Sequence, residues 1–141
     1  MTKPVKTGIG ISVLLLLLFG IFSCKETETT VPKAPVDAVA KFIGTWHVTD
    51  SVANLKYDVT IERHKIYPKT KVYLYNFGNL SGRIDGDVVG NALLIQNAVT
   101  GTPGYTIDEG TGTWISSSRI NFIYTLNDGV ETKVHQAVFL K

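Results

Sequence analysis

The stretch LKYDVTIE, residues 55–62, alternates apolar and polar side chains without a break. A β-strand places successive side chains on opposite faces of its sheet, so this alternation predicts a strand with one buried and one solvated face. The pattern returns near the C-terminus in INFIYTL, residues 120–126. We therefore expect strands at both ends of the folded region.

Several shorter strand-like runs lie around and between these two. Turn residues separate them, and the clearest signal is Asn127-Asp128-Gly129, since tight hairpins require the positive φ that Asn, Asp and Gly tolerate. Residues 36–42 are compatible with one or two helical turns. The remaining predicted strands are residues 42–49, 72–77, 84–89, 92–97, 104–108, 112–116 and 132–140.

The connections between these runs are too short for helical crossovers, which favours an antiparallel meander. A meander has two exposed edges unless it closes on itself. The sequence therefore predicts an all-β domain, an antiparallel up-and-down barrel of about eight strands, with a two-sheet β-sandwich as the alternative.

The N-terminus has the features of a secretory signal. Lys3 and Lys6 precede an apolar stretch at residues 9–22. That stretch has roughly 14 residues, fewer than the roughly 18 to 20 that a membrane-spanning helix needs. Residues 1–23 are therefore predicted to be a signal peptide.

The end of this stretch, Ile21-Phe22-Ser23-Cys24, resembles the lipobox of bacterial lipoproteins. The resemblance implies cleavage before Cys24 and acylation of that residue, which would anchor the chain to a membrane. Cys24 is the only cysteine in the sequence, so an internal disulfide is excluded. An ordinary signal peptide cleaved elsewhere and an uncleaved membrane anchor are the alternatives.

Residues 24–35 are rich in Thr, Glu, Lys and Pro and predict a flexible tether. The segment Cys24-Lys25-Glu26-Thr27-Glu28 resembles the export tag of surface lipoproteins of Bacteroidota, which implies the outer membrane, at its periplasmic or surface face. A solvated, charged linker is the alternative. Loss of Lys3 and Lys6 with the signal leaves 12 of the 14 basic residues against 12 acidic ones, so no nucleic-acid partner is expected.

Three motifs of the domain at residues 36–141 carry a family resemblance. They are FIGTWHV at residues 42–48, NFGN at 76–79 and GTGTW at 110–114. Together they resemble the small lipocalin-like (calycin) lipoproteins of Bacteroidota. The resemblance implies that Gly44 and Trp46 are structural residues, with Trp46 packed against the closed end of a barrel. It also implies a basic residue stacked on that tryptophan, for which Arg119 is the candidate.

No catalytic constellation stands out. The three histidines are scattered, and a metal site formed by His47 and His135 with Asp50 or Glu131 has no compact ligand motif to support it. We therefore predict no enzyme activity, no metal and no cofactor.

The aromatic residues suggest binding instead. Tyr73, Tyr75 and Phe77 would share one strand face, either as an exposed strip or covered by residues 36–42, unless a bulge shifts the register of the strand. The first hypothesis is a lipocalin-like domain that binds a small apolar ligand. The alternatives are a packed accessory or interaction subunit of an envelope protein complex and, ranked last, a hydrolase. The predicted ligand-binding residues are Tyr57, Trp114, Tyr124, Tyr73 and Tyr75.

Overall fold

A computed structural model describes residues 36–141 of the chain. The predicted signal peptide, the tether and Cys24 lie outside these residues. No helix within the described part is long and apolar enough to span a membrane. The described strands are β1 (Gly44–Asp50), β2 (Leu55–Arg63), β3 (Lys71–Tyr75), β4 (Arg83–Val89), β5 (Ala92–Val99), β6 (Thr106–Ser116), β7 (Arg119–Asn127) and β8 (Thr132–Leu140).

The eight strands form a closed antiparallel barrel. Each strand pairs with the next along the chain, and β8 returns to pair with β1, so that Val48 lies opposite Phe139. Closure pairs both edges of the meander, which removes the exposed backbone groups of an open sheet. The predicted up-and-down barrel is therefore confirmed, and the sandwich alternative is wrong. We name the end at which β1 begins the lower end, and the end at which β1 finishes the upper end.

Strand β6 joins two runs that the sequence predicts separately, 104–108 and 112–116. A register shift between Ile107 and Glu109 inserts an irregularity without ending the strand. Gly110 and Gly112 then continue the pairing with β5 and β7. The merger explains why the barrel has eight strands rather than nine.

Phe77 is not on a strand, contrary to the prediction. Strand β3 ends at Tyr75, and Asn76 adopts a left-handed conformation with φ 60° that turns the chain into a 3₁₀ turn, Phe77–Asn79. Phe77 is 3% exposed, and its ring lies 5.0 Å from that of Phe122 and 4.9 Å from that of Tyr124, measured between centroids. The turn thus inserts an aromatic ring into the upper end of the barrel.

Aromatic side chains and inward-facing glycines fill the barrel together. A Cβ added to Gly112 would lie 2.3 Å and 2.5 Å from two atoms of the Phe122 ring, far inside van der Waals contact. A Cβ on Gly86 would meet Leu93 and Leu74 at 2.7 Å and 2.9 Å. The glycines therefore provide the volume that the large side chains occupy, as close packing of the interior requires.

The segment before β1 covers the lower end. It forms hydrogen-bonded turns rather than the predicted helical turns, and Val39 and Phe42 are fully buried there. The Asp37 carboxylate accepts hydrogen bonds from the N–H groups of Val39 and Ala40, each at 3.2 Å, and pairs with Arg63 of β2. The hydrogen bond from Arg63, opposed by partial desolvation, holds the pKa of Asp37 below its ordinary value.

Trp46 contacts this segment from inside the barrel: it is fully buried, and its indole N–H donates to the Phe42 carbonyl at 2.7 Å. The ammonium of Lys141 stands 4.2 Å from the centre of the Trp46 ring and donates to the Ile43 carbonyl. The basic residue on the tryptophan is therefore Lys141, and the candidate Arg119 is wrong. Gly44, at φ 124°, passes beside the Lys141 side chain, where a Cβ would lie 3.3 Å from its last two atoms.

We expect Gly112→Ala to destabilise the domain by roughly 1–3 kcal/mol, because the new methyl group overlaps the Phe122 ring. Chemical denaturation followed by tryptophan fluorescence measures this. The matched control is Thr113→Ala, an exposed neighbour on the same strand, which should change stability by less than about 0.5 kcal/mol. Equal stability of the two variants would contradict the packing described above.

Candidate functional site

The five predicted ligand-binding residues do not converge on one place. Tyr57 and Tyr124 face the interior near the upper end, and Trp114 faces the interior near the lower end, opposite Ile120. Tyr73 and Tyr75 lie on the outside of the barrel wall. Only Tyr57 and Tyr124 belong to a common site.

That site contains a buried carboxylate. Asp50, at the end of β1, is 1% exposed. Its Oδ1 accepts hydrogen bonds from the N–H groups of Val52 and Ala53, each at 2.9 Å. Its Oδ2 lies 2.6 Å from the Tyr124 hydroxyl, which donates to it, and 2.9 Å from Nδ1 of His135. We call Asp50, Tyr57, Tyr124 and His135 the upper polar cluster.

These hydrogen bonds favour the charged form of Asp50. Burial by itself raises a carboxyl pKa, but the bonds from Ala53, Tyr124 and His135 outweigh it and hold the pKa of Asp50 below 3.8. Burial raises the pKa of the Tyr124 hydroxyl, and the neighbouring Tyr57 and the bond to Asp50 raise it further. The cluster therefore contains a charged carboxylate that accepts hydrogen bonds from two backbone N–H groups, the Tyr124 hydroxyl and His135.

Tyr57 is the fourth member of the upper polar cluster, and it does not bond to Asp50. Its hydroxyl is adjacent to that of Tyr124, yet it makes no hydrogen bond of standard geometry to any residue in the described range. Burial, together with the charge of Asp50, raises the pKa of Tyr57 to about 12. The 3₁₀ turn lies over the same place, since a Cβ on Gly78 would stand 3.7 Å from the Tyr124 hydroxyl oxygen.

An aspartate that orients a histidine is also part of nucleophilic catalytic triads. A triad needs a hydroxyl or thiol at the other imidazole nitrogen. Within residues 36–141, His135 has a hydrogen bond to Asp50 and none to a serine, threonine or cysteine. The hydrogen bonds of Asp50 tie the turn after β1 to strands β7 and β8.

The structure does not bring His47 and His135 together. Position 47 pairs with Leu140 across β1 and β8, and its side chain points outward, 2.6 Å from the Asp58 carboxylate. His135 points inward, so the barrel wall separates the two rings and a site shared by them is wrong. The described residues contain no group of three or more His, Cys, Asp or Glu side chains placed to hold a metal.

Trp114 is held at the lower end by the segment before β1. The Lys41 ammonium lies 5.3 Å from the centre of the Trp114 ring and bonds to the Asn91 side chain. The indole N–H of Trp114 is buried and has no hydrogen-bond partner in the part of the chain that the structure describes. Trp114 therefore packs inside the lower end of the barrel, next to the segment before β1, and does not reach the upper polar cluster.

Tyr73 and Tyr75 belong to a second cluster on the outer wall. Tyr73 is 6% exposed because the His64 ring covers it at 4.4 Å between centroids and the Arg83 guanidinium lies 4.1 Å from its ring centre. His64 is fixed in turn, since its Nδ1 accepts the N–H groups of Ile66 and Tyr67. The loop between β2 and β3 thus covers Tyr73, and Tyr75 lies half-buried beside it.

Sequence reasoning did not identify Asp50 as the centre of the upper polar cluster. The signal is present: Trp46, Val48 and Asp50 occupy alternate positions, so an acid stands where the apolar face of β1 continues. His135 occupies the corresponding inward position on β8, next to Ala137. A polar residue in the apolar phase of a strand therefore marks a buried polar network.

Comparison with known proteins adds no family assignment: no family model matches the chain, and no curated protein matches it.

We expect Asp50→Asn to lower stability at pH 7 by roughly 2–3 kcal/mol, because the charge-assisted bonds are lost. The pKa of Asp50 in the folded chain lies below its ordinary value, which is the value expected in the unfolded chain. The contribution of Asp50 to the free energy of unfolding is therefore complete above the unfolded pKa, and it is lost as the pH falls through the folded pKa. Urea unfolding at pH 7, 5 and 3 should therefore show a smaller acid-induced loss in the variant than in the parent chain.

The control is Glu62→Gln, an exposed acid on β2 that has no hydrogen bond among the described side chains. It should keep the acid sensitivity of the parent. The interpretation of Asp50 as the buried, ionised centre fails if Asp50→Asn has the same acid sensitivity as Glu62→Gln.

Proposed function

We propose that this chain is a membrane-anchored lipoprotein of the bacterial envelope whose barrel is a packed, non-catalytic interaction module. The observation that carries the interaction role is the inserted ring of Phe77. It contacts Phe122 and Tyr124, as described above, and lies 6.2 Å from Phe139 between ring centroids. The Phe77 side chain therefore occupies the part of the interior in which a ligand-binding barrel would bind its ligand.

The packing around Phe77 supports the same proposal. The rings of Phe122 and Phe139 stack at 5.4 Å, and both are almost fully buried. Trp46 and Phe42 close the lower end beneath them. Small barrels of eight strands have interiors that side chains can fill, and these residues fill this one.

A container for a small apolar ligand is the weaker candidate. Its predicted lining is divided between the upper polar cluster, the lower end and the outer wall. The interior positions nearest the mouth, Asp50 and His135, carry polar groups that bond to one another. An apolar molecule entering there would have to displace Phe77 and contact these groups.

The anchor rests on the sequence. The lipobox-like Ile21-Phe22-Ser23-Cys24 supplies the acylation site, and residues 24–35 supply the tether. Lys25-Glu26 favours the outer membrane, at its periplasmic or surface face. Multiple acyl chains on one residue provide the two or more signals that stable membrane attachment needs.

We expect native mass spectrometry of the protein purified from its own host to show a mass without bound ligand. The reason is that Phe77, Phe122 and Phe139 occupy the interior. The positive control is Phe77→Ala, whose apolar cavity should bind a small aromatic such as indole. A lipid bound stoichiometrically to the parent barrel would overturn the packed module and favour the container.

Metabolic labelling with a fatty acid tests the anchor. The parent chain should incorporate labelled palmitate and fractionate with membranes, whereas Cys24→Ala should lose the label and leave the membrane fraction. Ser23→Ala, which keeps a small residue before the cysteine, should remain labelled. Unlabelled parent chain would overturn the lipoprotein proposal and leave the mass-spectrometry test of the packed barrel intact.

A further inference from the structure

The outer wall of the barrel is divided by charge. Strands β2 to β4 direct seven ionisable side chains of both signs outward, whereas the outward positions of β6, β7 and β8 are uncharged along most of their length. We call the latter surface the neutral wall. It consists of Thr111, Thr113, Asn121, Ile123, Thr125, Val134, Gln136 and Val138.

The neutral wall is largely exposed to solvent. Ile123 and Val134 are 56% and 58% exposed, and most other side chains there are short and β-branched. Shallow grooves lie on both sides of Ile123. Charge depletion with exposed aliphatic side chains is the composition of an interface core.

Two charges mark opposite ends of this wall. Glu109 stands at its upper end, opposite Thr125, and Arg119 stands at its lower end, opposite Leu140. They lie on the adjacent strands β6 and β7. A surface with an acid at one end and a base at the other is complementary to its own copy turned end for end.

We propose that the neutral wall binds a second copy of this chain, face to face, about a two-fold axis across the strands. The axis passes near Ile123 and Asn121 at the middle of β7. This axis brings Glu109 of each copy close to Arg119 of the other copy, with a sideways offset equal to the spacing of one strand. The remaining contacts are between uncharged side chains, so no like charges oppose one another.

This inference names the partner of the proposed interaction module and rests on that proposal. The contacts would be formed by mostly short, uncharged side chains and two exposed ion pairs, so we expect weak association in solution. Anchoring in one membrane raises the effective concentration of the two copies.

Charge reversal tests the arrangement. The soluble domain, which contains all eight strands and the whole described core, should show concentration-dependent dimerisation in sedimentation velocity. Glu109→Arg should raise the dissociation constant roughly tenfold, because the new arginine at position 109 would face Arg119 of the other copy. Combining it with Arg119→Glu should restore the parent value, since the pair is re-formed with its signs exchanged.

Two further variants separate this surface from general charge effects. Ile123→Lys places a charge at the centre of the wall and should abolish the dimer, whereas Glu62→Lys on the charged side should leave it unchanged. Thermal unfolding confirms that each variant is folded. A monomer at all concentrations, or no rescue in the double variant, overturns the self-association. Neither result alters the labelling and mass-spectrometry tests of the proposed function.

Discussion

The fit between the Phe122 ring and the backbone of Gly112 governs the rest of this barrel. The ring occupies the space that any side chain at position 112 would need, so Phe122 can lie over β6 only because that position is glycine. Gly110 serves the neighbouring rings in the same way, with Phe122 and Tyr124 atoms 3.1 Å and 3.2 Å from its Cβ position. Once these large rings lie inside, the interior has room for Phe77 from the loop above.

Closing the ends of the barrel uses different chemistry at each end. The lower end is covered by apolar side chains and by cations over tryptophan rings, Lys141 on Trp46 and Lys41 on Trp114. The upper end is organised around one carboxylate, Asp50, because the chain turns there and leaves backbone N–H groups that need an acceptor. Burying that charge is tolerable since four donors surround it.

The division of the outer wall follows from the same alternation that forms the core. When one residue of a strand points inward, its two neighbours point outward. The composition of these outward positions therefore decides what the outer wall can contact at each strand. On β2 to β4 those positions carry charges and the covered tyrosines, and on β6 to β8 they carry Thr, Val, Ile, Asn and Gln. The first pattern is typical of a solvated surface, and the second is the surface to which we propose that a second copy binds.

The sequence by itself determined the all-β class and the antiparallel order, because alternation and short turns are local properties of the chain. It predicted the barrel but left a two-sheet sandwich open, and the pairing of β8 with β1 decided between them. It also led to Gly44 and Trp46 through a motif. It did not place Phe77, since the left-handed turn at Asn76 that takes it off the strand is one outcome among several for an asparagine. Nor did it find Lys141 on Trp46, or Asp50 between Tyr124 and His135, which are 74 and 85 residues away along the chain. Only barrel closure brings β1 beside β8, and contacts across that closure depend on register and packing rather than on any local pattern.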